Sequence, residues 1–202
     1  KNAIFKTLLS SGTSNKGNSK IFLDKKTSVL QTKILSKIMQ SILGGSRLPM
    51  IILDRKPTDL DRLKFNAKIA AIYGFSIFGK DYFYILNENN EIDYPGLENY
   101  LNKNKKIFMF GFTHQVYEIS FKKFNFNKIN NNFSNAILLH GGGWKKMEEE
   151  KIDNKLFKKK LKNKTKISKI FNYYGMIEQT GTIFLECEKC GCFKKSIFSD
   201  VF

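Results

Sequence analysis

The stretch Ala136–Gly143, AILLHGGG, decides the fold, because an apolar run passes directly into a histidine and three glycines. A short apolar run bounded by glycine is typical of a strand that is buried on both faces of a sheet. Ala136–Leu139 is therefore predicted to be such a strand. The glycines that follow allow either a tight reversal of the chain or the close approach of a ring or phosphate to the backbone. His140 fits equally a hydrogen-bonded structural histidine and a ligand-binding one.

Short apolar runs and helical patterns alternate on both sides of this stretch. Strands are predicted at Ala3–Leu9, Ile21–Leu23, Pro49–Leu53, Tyr82–Leu86, Lys106–Phe110 and Ile170–Tyr173, with a closing hairpin around Phe184–Phe193. Helices are predicted at Thr27–Leu43, Leu60–Tyr73, Leu97–Asn102, Gln115–Phe121 and Trp144–Leu161. Strands separated by helices indicate an α/β fold with a mostly parallel sheet layered with helices. Such sheets bind ligands beyond the carboxyl ends of their strands.

Capping residues predict where two of the helices begin and end. Thr27 or Ser28 is expected to cap the first helix, and Gly44-Gly45 to close it. Gly74 is expected to stop the helix Leu60–Tyr73, because glycine is a poor helix former.

The charge of the chain raises the question of a polyanionic partner. The 202 residues carry a net charge of +17, from 35 Lys+Arg and 18 Asp+Glu. Clustered cations favour nucleic acid or an anionic membrane, because binding releases counterions. Arginine is scarce, however, and the lysines accompany Asn, Ile and Phe, as an AT-rich coding sequence would produce. These features argue against nucleic-acid binding.

The length, the amino-terminal residues and the cysteines bear on the setting of the protein. A chain of 202 residues suits one compact unit, and no apolar run approaches the roughly 20 residues of a membrane span. Lys1–Leu9 lacks the apolar centre of a signal peptide and is interpreted as a strand entered partway through a longer protein. Cys187, Cys190 and Cys192 suit a metal site or free thiols better than a disulfide framework, so a cytoplasmic location is expected. Half of a zinc knuckle and a hairpin with incidental thiols are both open.

The first segment suited to chemistry is Ser10–Lys20, which combines hydroxyls, glycines and lysines after a strand. Its backbone N–H groups can wrap a polyphosphate, although loops are rich in such residues for reasons of turn geometry alone. The segment nearly matches the pattern G-x-x-x-x-G-K-[ST], but Asn18 occupies the lysine position and a strand is predicted to follow. These differences argue against a P-loop NTPase.

The second such segment is Tyr173–Gly181, which holds Glu178 between glycines and beside aromatic rings. A carboxylate there is suited to a hard divalent cation that also contacts phosphates. A solvated loop carboxylate is the alternative interpretation.

Along the chain, Ser10–Lys20 is followed by the glycine run Gly141–Gly143 and then by Tyr173–Gly181. This order resembles the adenylate-forming superfamily of acyl-CoA synthetases, peptide synthetase adenylation domains and firefly-type luciferases. Gly111-Phe112-Thr113, Gly142–Lys146 and Tyr174–Thr182 are similar to the acyl-protein synthetase family of bacterial luminescence fatty-acid reductase complexes. The similarity runs through nearly all of the chain. One departure is Ile177, because the superfamily usually has threonine before the glutamate.

The resemblance implies roles for specific residues. The ATP phosphates would be held by Ser10, Ser11, Gly12, Thr13 and Lys20. The adenine would be framed by Gly141, Gly142, Gly143, Tyr174 and Gly175. Glu178 would bind Mg²⁺, with Thr13 and Lys20 also taking part in catalysis. Gly111, Thr113 and His114 would lie near the acyl pocket.

The expected function is therefore ATP-dependent activation of a fatty or other carboxylic acid to an acyl-adenylate, with transfer to a protein or carrier thiol. The expected acceptor includes an acyl-CoA reductase-type subunit. Residues 1–202 are expected to form a single, partial AMP-binding domain, within the large N-terminal domain of such an enzyme and without its ribose-binding and mobile carboxyl-terminal regions. A non-catalytic nucleotide-binding remnant and a basic nucleic-acid-binding module are the alternatives.

Overall fold

The computed structural model describes residues 4–9, 20–58, 67–175, 183–188, 191 and 193–194. Among these residues, no helix combines the length and the apolar character that crossing a membrane requires. The strands are β1 Lys6–Leu9, β2 Lys20–Leu23, β3 Leu48–Arg55, β4 Gly79–Leu86, β5 Ile107–Phe112, β6 Ala136–Gly141, β7 Lys169–Tyr174, β8 Phe184–Glu186 and β9 Phe193–Lys194. The α-helices are α1 Lys25–Leu43, α2 Ala67–Ser76, α3 Tyr94–Lys103, α4 Thr113–Tyr117 and α5 Asn154–Thr165. A π-helical turn at Glu118–Lys123 continues α4, and 3₁₀ turns lie at Phe126–Lys128 and Lys145–Glu150.

The main sheet of the described part of the chain has the strand order β4-β3-β5-β6-β7-β8-β9. Its first five strands are parallel, whereas β8 and β9 are antiparallel to their neighbours. β1 and β2 form a separate antiparallel pair. The predicted α/β fold with a mostly parallel sheet is confirmed, as is the closing hairpin.

Both faces of the sheet are covered by helices, and β5 shows how the two layers divide. Phe108 and Phe110 face a cluster that includes Met39 of α1. Met109, between them, faces the opposite cluster, which includes Leu97 of α3 and residues of α5. Because successive side chains of a strand point to opposite faces, burial on both sides requires the continuous apolar run that the sequence shows.

The first helix begins earlier than the sequence predicts. Asp24 caps it, because its side-chain Oδ1 accepts a hydrogen bond of 2.7 Å from the backbone N–H of Thr27. The prediction of Thr27 or Ser28 as the cap is therefore wrong, since a better acceptor precedes them by one turn. Gly44 closes the helix with φ of 88°, as expected.

The helix predicted to stop at Gly74 continues to Ser76. Phe75 is buried in the core, with only 6% of its surface exposed. Burying a phenylalanine stabilises the fold by about 1.5–3 kcal/mol, which exceeds the cost of about 1 kcal/mol for an internal glycine. Packing therefore overrides the local preference.

The prediction of a single helix at Trp144–Leu161 is also wrong. The chain forms a 3₁₀ turn at Lys145–Glu150 and then begins α5 at Asn154. Asp153 caps α5, because its carboxylate accepts hydrogen bonds from the N–H groups of Lys155 and Leu156 at 2.8 and 3.1 Å. The helical pattern of the sequence appears continuous here, but the cap at Asp153 starts a separate α-helix after the 3₁₀ turn.

The core assignment predicts unequal costs for two leucine truncations. Leu138→Ala removes a side chain that is 0% exposed, whereas Leu156→Ala removes one that is 43% exposed on α5. We expect Leu138→Ala to lower the free energy of unfolding by about 2–5 kcal/mol, and Leu156→Ala by less than about 0.5 kcal/mol. Urea denaturation measures both values, and equal losses would contradict the burial of Leu138 in the core.

Candidate functional site

The carboxyl ends of β5, β6 and β7 lie side by side in the parallel sheet. Phe112 pairs with Gly141, and Gly141 pairs with Tyr173 on its other side. The register therefore brings three segments that the sequence singles out to one edge, namely Gly111–His114, Gly141–Gly143 and Tyr174-Gly175. This is the edge at which parallel α/β sheets bind ligands.

The three glycines at the end of β6 serve different purposes. A Cβ on Gly141 would lie 2.4 Å from Cε1 of Tyr173, so this glycine makes room for the ring of the neighbouring strand. Gly142 has φ of +78°, a left-handed conformation in which glycine is favoured. The ring that packs against Gly141 is thus a side chain of the protein, while the exposed Gly142 and Gly143 remain open to a ligand.

Tyr174 and Gly175 offer a second open surface at the same edge. Tyr174 is 50% exposed, and its ring lies 6.4 Å, centroid to centroid, from that of Phe184. Gly175 is also exposed. A half-exposed aromatic ring next to glycine can stack on a planar ligand, because the ring supplies an apolar face and glycine adds no side chain.

His140 and Thr113 join the ends of β5 and β6 below this surface. Nδ1 of His140 lies 3.0 Å from Oγ1 of Thr113, and both residues are buried. Burial, and secondarily the positive charge of Lys158, lowers the pKa of His140 to about 3. The imidazole is therefore neutral at neutral pH. Its Nε2 is buried without a hydrogen-bond partner among the described residues, and its ring meets that of Phe157 edge to face at 5.2 Å.

The three residues expected near an acyl pocket differ in exposure. A Cβ on Gly111 would lie 2.9 Å from Cβ of Leu53 and 3.1 Å from Cγ2 of Val116, so Gly111 is packed against the core. Thr113 is 5% exposed. His114 is half-buried. Of the three, His114 exposes the most side-chain surface to a substrate.

The remaining predicted site residues divide between described and undescribed parts of the chain. Lys20 is exposed at the first position of β2, where it pairs with Leu9. Ser10, Ser11, Gly12 and Thr13 lie outside the described residues, and so does Glu178. Their convergence with Gly142 stays a prediction.

The predicted cysteine cluster is described only in part. Cys187 is half-buried, and its carbonyl accepts a hydrogen bond of 2.8 Å from the N–H of Gly191. Cys190 and Cys192 lie outside the described residues. The zinc and free-thiol interpretations therefore both stay open.

A cleft that the sequence did not indicate opens at the carboxyl end of β3. Its volume is about 320 Å³, and its lining includes Asp54, Lys68, Gln115, Glu118 and Lys123. Nζ of Lys68 lies 2.7 Å from Oδ2 of Asp54, and Nζ of Lys123 lies 3.1 Å from Oε1 of Glu118. The cleft follows from the strand order. β4 and β5 lie on opposite sides of β3, so the loops that follow the strands separate at its carboxyl end.

A family model described as acyl-protein synthetase, LuxE, matches residues 1–202. A comparison with curated proteins finds no match.

Solved structures similar to the chain include the following two. ATP-bound MatB from Rhodopseudomonas palustris has 11% identity and a TM-score of 0.51, and the match covers 91% of this chain and 31% of MatB. A mutant coronafacic acid ligase from Pectobacterium brasiliense has 17% identity and a TM-score of 0.47, and that match covers 82% of this chain and 29% of the ligase. The likeness to MatB shows a shared fold. The chain spans about three tenths of the length of these two structures.

The contact between Gly141 and Tyr173 predicts a steric cost for Gly141→Ala. We expect a loss of about 1–3 kcal/mol in the free energy of unfolding, because the new methyl group meets the Tyr173 ring. Gly74→Ala is the matched control, since its Cβ would meet nothing within 4 Å and alanine favours a helix. Urea denaturation measures the changes. If Tyr173→Ala does not reduce the cost of Gly141→Ala in the double mutant, the contact is not its cause.

The buried neutral His140 predicts a specific pH dependence of stability. Its pKa is about 3 in the folded protein and 6.5 in a model compound, so the unfolded chain gains a proton first as the pH falls. Stability is fully present above pH 6.5 and declines toward pH 3, by about 1 kcal/mol per unit. Between pH 7 and 5, wild type should therefore lose about 1–2 kcal/mol more than His140→Gln in denaturant titrations. Parallel pH curves for the two proteins would contradict the assignment, since the other titrating groups are common to both.

Proposed function

This chain belongs to the LuxE family of acyl-protein synthetases, and we propose from that premise that it activates a fatty or other carboxylic acid with ATP and passes the acyl group to a thiol. The observation that best supports this is the alignment of Gly141–Gly143 with Tyr174-Gly175 at the carboxyl edge of the sheet. In this proposal residues 1–202 form one part of an AMP-binding domain, within the larger domain that the MatB fold represents.

Two exposed surfaces at that edge are suited to the adenine. Gly142 and Gly143 expose backbone without side chains, and Tyr174 exposes half of its surface. A planar base can lie against such groups, which supports the assignment of the adenine to them. Gly141 contributes indirectly, because it lets the Tyr173 ring pack beneath the turn.

The phosphates are assigned to the loop before β2. Ser10, Ser11, Gly12 and Thr13 supply hydroxyl and backbone donors, and Lys20 supplies a positive charge. The exposure of Lys20 supports this role, because its ammonium group can reach a ligand without losing a buried partner. Glu178 is assigned as the Mg²⁺ ligand, since a hard divalent cation prefers carboxylate oxygen. When bound, the metal would neutralise phosphate charge.

The reaction follows from the charges of its substrates. The carboxylate oxygen attacks the α-phosphorus of ATP, a bond from that oxygen to phosphorus forms, and the bond to pyrophosphate breaks. Because both reactants are anions, the protein contributes mainly by orienting them and by placing cationic groups such as Lys20 and hydroxyls such as that of Thr13 at the phosphates. A thiolate then attacks the acyl carbonyl carbon, and AMP leaves.

The acyl substrate is assigned to the neighbourhood of Gly111, Thr113 and His114. Gly111 and Thr113 are buried, which favours a role in shaping the wall of the pocket. His114 is half-buried and has side-chain surface that can contact a ligand. The acceptor is proposed to be a protein thiol, such as that of an acyl-CoA reductase-type subunit in the cytoplasm. The family match supports a protein acceptor.

The proposal predicts exchange of labelled pyrophosphate into ATP that depends on a long-chain fatty acid. Lys20→Met should lower the exchange rate by about 10²-fold, because one stabilising charge is lost from the reacting phosphates. Lys26→Met, which removes an exposed lysine of α1, is the matched control and should leave the rate unchanged. Glu178→Ala should raise the Mg²⁺ concentration needed for half-maximal exchange. Absence of acid-dependent exchange by wild type would refute the proposed activity, and full activity of Lys20→Met would refute the role of that lysine.

A further inference from the structure

Positive charge is concentrated on α5 and on the residues that follow it. Residues 154–169 include eight lysines and no aspartate or glutamate, in a chain whose net charge is +17. Like charges on one helix repel each other, so the fold gains nothing from them unless they have partners. The partners of these lysines therefore show which of them serve the fold.

Lys158 is bound to a buried carboxylate. Its side chain is 18% exposed, and its Nζ donates a hydrogen bond of 2.9 Å to Oε1 of Glu186, on β8. Glu186 is 3% exposed and also accepts hydrogen bonds of 3.0 Å from Nδ2 of Asn154 and from the backbone N–H of Asn172. The three donors offset the cost of burying the carboxylate. Lys158 thus serves the fold.

Lys164 packs against the π-helical turn. Its Nζ donates a hydrogen bond of 3.3 Å to the carbonyl oxygen of Phe121 and lies 5.2 Å from the centroid of the Phe121 ring. The centroid of the Phe126 ring lies 5.9 Å from the same ammonium group. An ammonium group over an aromatic ring is attracted by the negative face of that ring. Lys164 therefore also serves the fold.

Three other lysines form a row on the solvent face of the helix. Residues three and four apart on an α-helix lie next to each other on one face. Lys155, Lys159 and Lys162 have this spacing, and all three are exposed. Within the described part of the chain, none of the three takes part in an ion pair. These three residues are called the lysine row below.

The lysine row opposes the stability of α5. Lys155 neighbours Lys159 one turn away, Lys159 neighbours Lys162, and like charges at these spacings destabilise a helix. Lys155 also lies in the first turn, where the positive end of the helix dipole disfavours a cation. Acidic residues in that turn would stabilise the helix better. The row is therefore not explained by the fold, which favours a role in binding.

Three acidic residues that precede α5 are engaged elsewhere. Glu148 forms an ion pair with Lys151, and Glu150 forms one with Lys122. Asp153 caps the helix through its carboxylate. The positive charge of the lysine row is thus not neutralised by these carboxylates and is available to a partner.

The surroundings of the row favour an acidic protein over nucleic acid. Leu156 lies three residues before Lys159 and is 43% exposed, so a partner meets an apolar side chain beside the charges. Residues 154–169 contain no arginine, which nucleic-acid surfaces use for bidentate contacts. A facing helix with carboxylates at spacings of three and four residues has the complementary charge pattern.

The row begins at the end of α5 that lies beneath the carboxyl edge of the sheet. Phe157, in the same turn as Lys155, packs its ring against that of His140 at 5.2 Å between centroids. His140 directly precedes Gly141, the residue at which β6 reaches that edge. A helix that lies along the row therefore extends to the edge at which the acyl-adenylate is proposed to form.

We propose that the lysine row is the docking surface for an acidic helix on the protein that carries the acceptor thiol. This role rests on the proposed function, because it takes a protein thiol as the acceptor. Charge complementarity orients such a partner along α5 and raises its rate of encounter. The thiol then approaches the acyl-adenylate at the carboxyl edge. The row itself does not contact the reacting atoms.

The first arm of the test measures binding of two synthetic peptides by fluorescence anisotropy. Each is a helical peptide of about 18 residues with one cysteine at its end. The peptides differ only at three positions with the spacing of the row, which are glutamate in the acidic peptide and glutamine in the neutral one. We expect wild type to bind the acidic peptide about tenfold more tightly, and this preference to fall as the ionic strength rises. Equal affinity for the two peptides overturns the docking surface.

Two sets of substitutions test the row itself. The triple variant Lys155→Glu, Lys159→Glu, Lys162→Glu reverses its charge and should abolish the preference for the acidic peptide. Replacing the same three lysines with glutamine removes the charge without reversing it and should also abolish the preference. Circular dichroism checks folding, and the glutamine variant carries the test if the reversed variant does not fold. A preference that survives in the folded variants overturns the proposal.

A matched control separates the row from the net charge of the chain. The triple variant Lys80→Glu, Lys103→Glu, Lys105→Glu changes the net charge equally, at exposed positions near the amino ends of β4 and β5. It should keep the wild-type preference, and loss of the preference in this control refutes the surface. A single-stranded oligothymidylate and vesicles containing phosphatidylserine are tested alongside. If either binds more tightly than the acidic peptide and is lost on reversal of the row, the row binds another polyanion and the proposal is overturned.

The second arm measures transfer of the acyl group to the cysteine of each peptide by mass spectrometry, in the presence of ATP and a long-chain fatty acid. The thiolate sulfur forms a bond to the acyl carbon, and the bond from that carbon to AMP breaks. Reversal of the row should lower transfer to the acidic peptide by about tenfold and leave acid-dependent ATP–pyrophosphate exchange unchanged. Equal transfer to both peptides by wild type, or none to either, overturns the link to the acceptor.

The two arms separate failure of this inference from failure of the proposed function. If wild type shows no acid-dependent exchange, the proposed function fails, and the docking surface then stands or falls on peptide binding alone. If exchange occurs but the binding preference is absent, the docking surface fails while the proposed function stands.

Discussion

The parallel register of β5, β6 and β7 is the constraint on which the rest of the site depends. Parallel neighbours end at the same edge, so the residues that follow each strand meet there whatever their separation in sequence. Gly111, His140 and Asn172 lie in one row across the three strands. One step further, Phe112, Gly141 and Tyr173 form the next row. The hydrogen bonds of the sheet therefore set the geometry of the site. The sheet is buried between two layers of helices.

Several residues at this edge serve the core and the site together. Gly141 accommodates the ring of Tyr173, and that ring lies 4.9 Å from the ring of Phe75 and 6.3 Å from the ring of Phe110. The turn at Gly142 thus rests on an aromatic cluster that also packs the sheet against α2. Because the support is a packed core, the exposed glycines that follow are held by rigid neighbours on the side away from solvent.

Local patterns predicted the strands well and the strand order not at all. The apolar run before His140 was sufficient to place β6, and the glycines that follow it lie at the carboxyl edge of the sheet, as expected. Helix ends were harder, because Asp24 and Asp153 compete with other capping residues and only the fold decides between them. The cleft beside Asp54 depends on strand order, which no single segment encodes. Glu186 was missed for the same reason, since its donors lie 14 to 32 positions away.

The first turns of α5 contact both His140 and Glu186, which are polar residues buried beneath the carboxyl edge. Phe157 meets the ring of His140, which is tied to Thr113 and so links β6 to the start of α4, directly after β5. Lys158, the next residue, binds Glu186, which links β8 to β7. The charge of Lys158 also helps to keep His140 neutral. The side chain of Lys158 is only 18% exposed, and its partner is buried. The helix therefore couples the two halves of the edge through the aromatic contact of Phe157 and through the hydrogen bonds that Lys158 and Asn154 donate to Glu186.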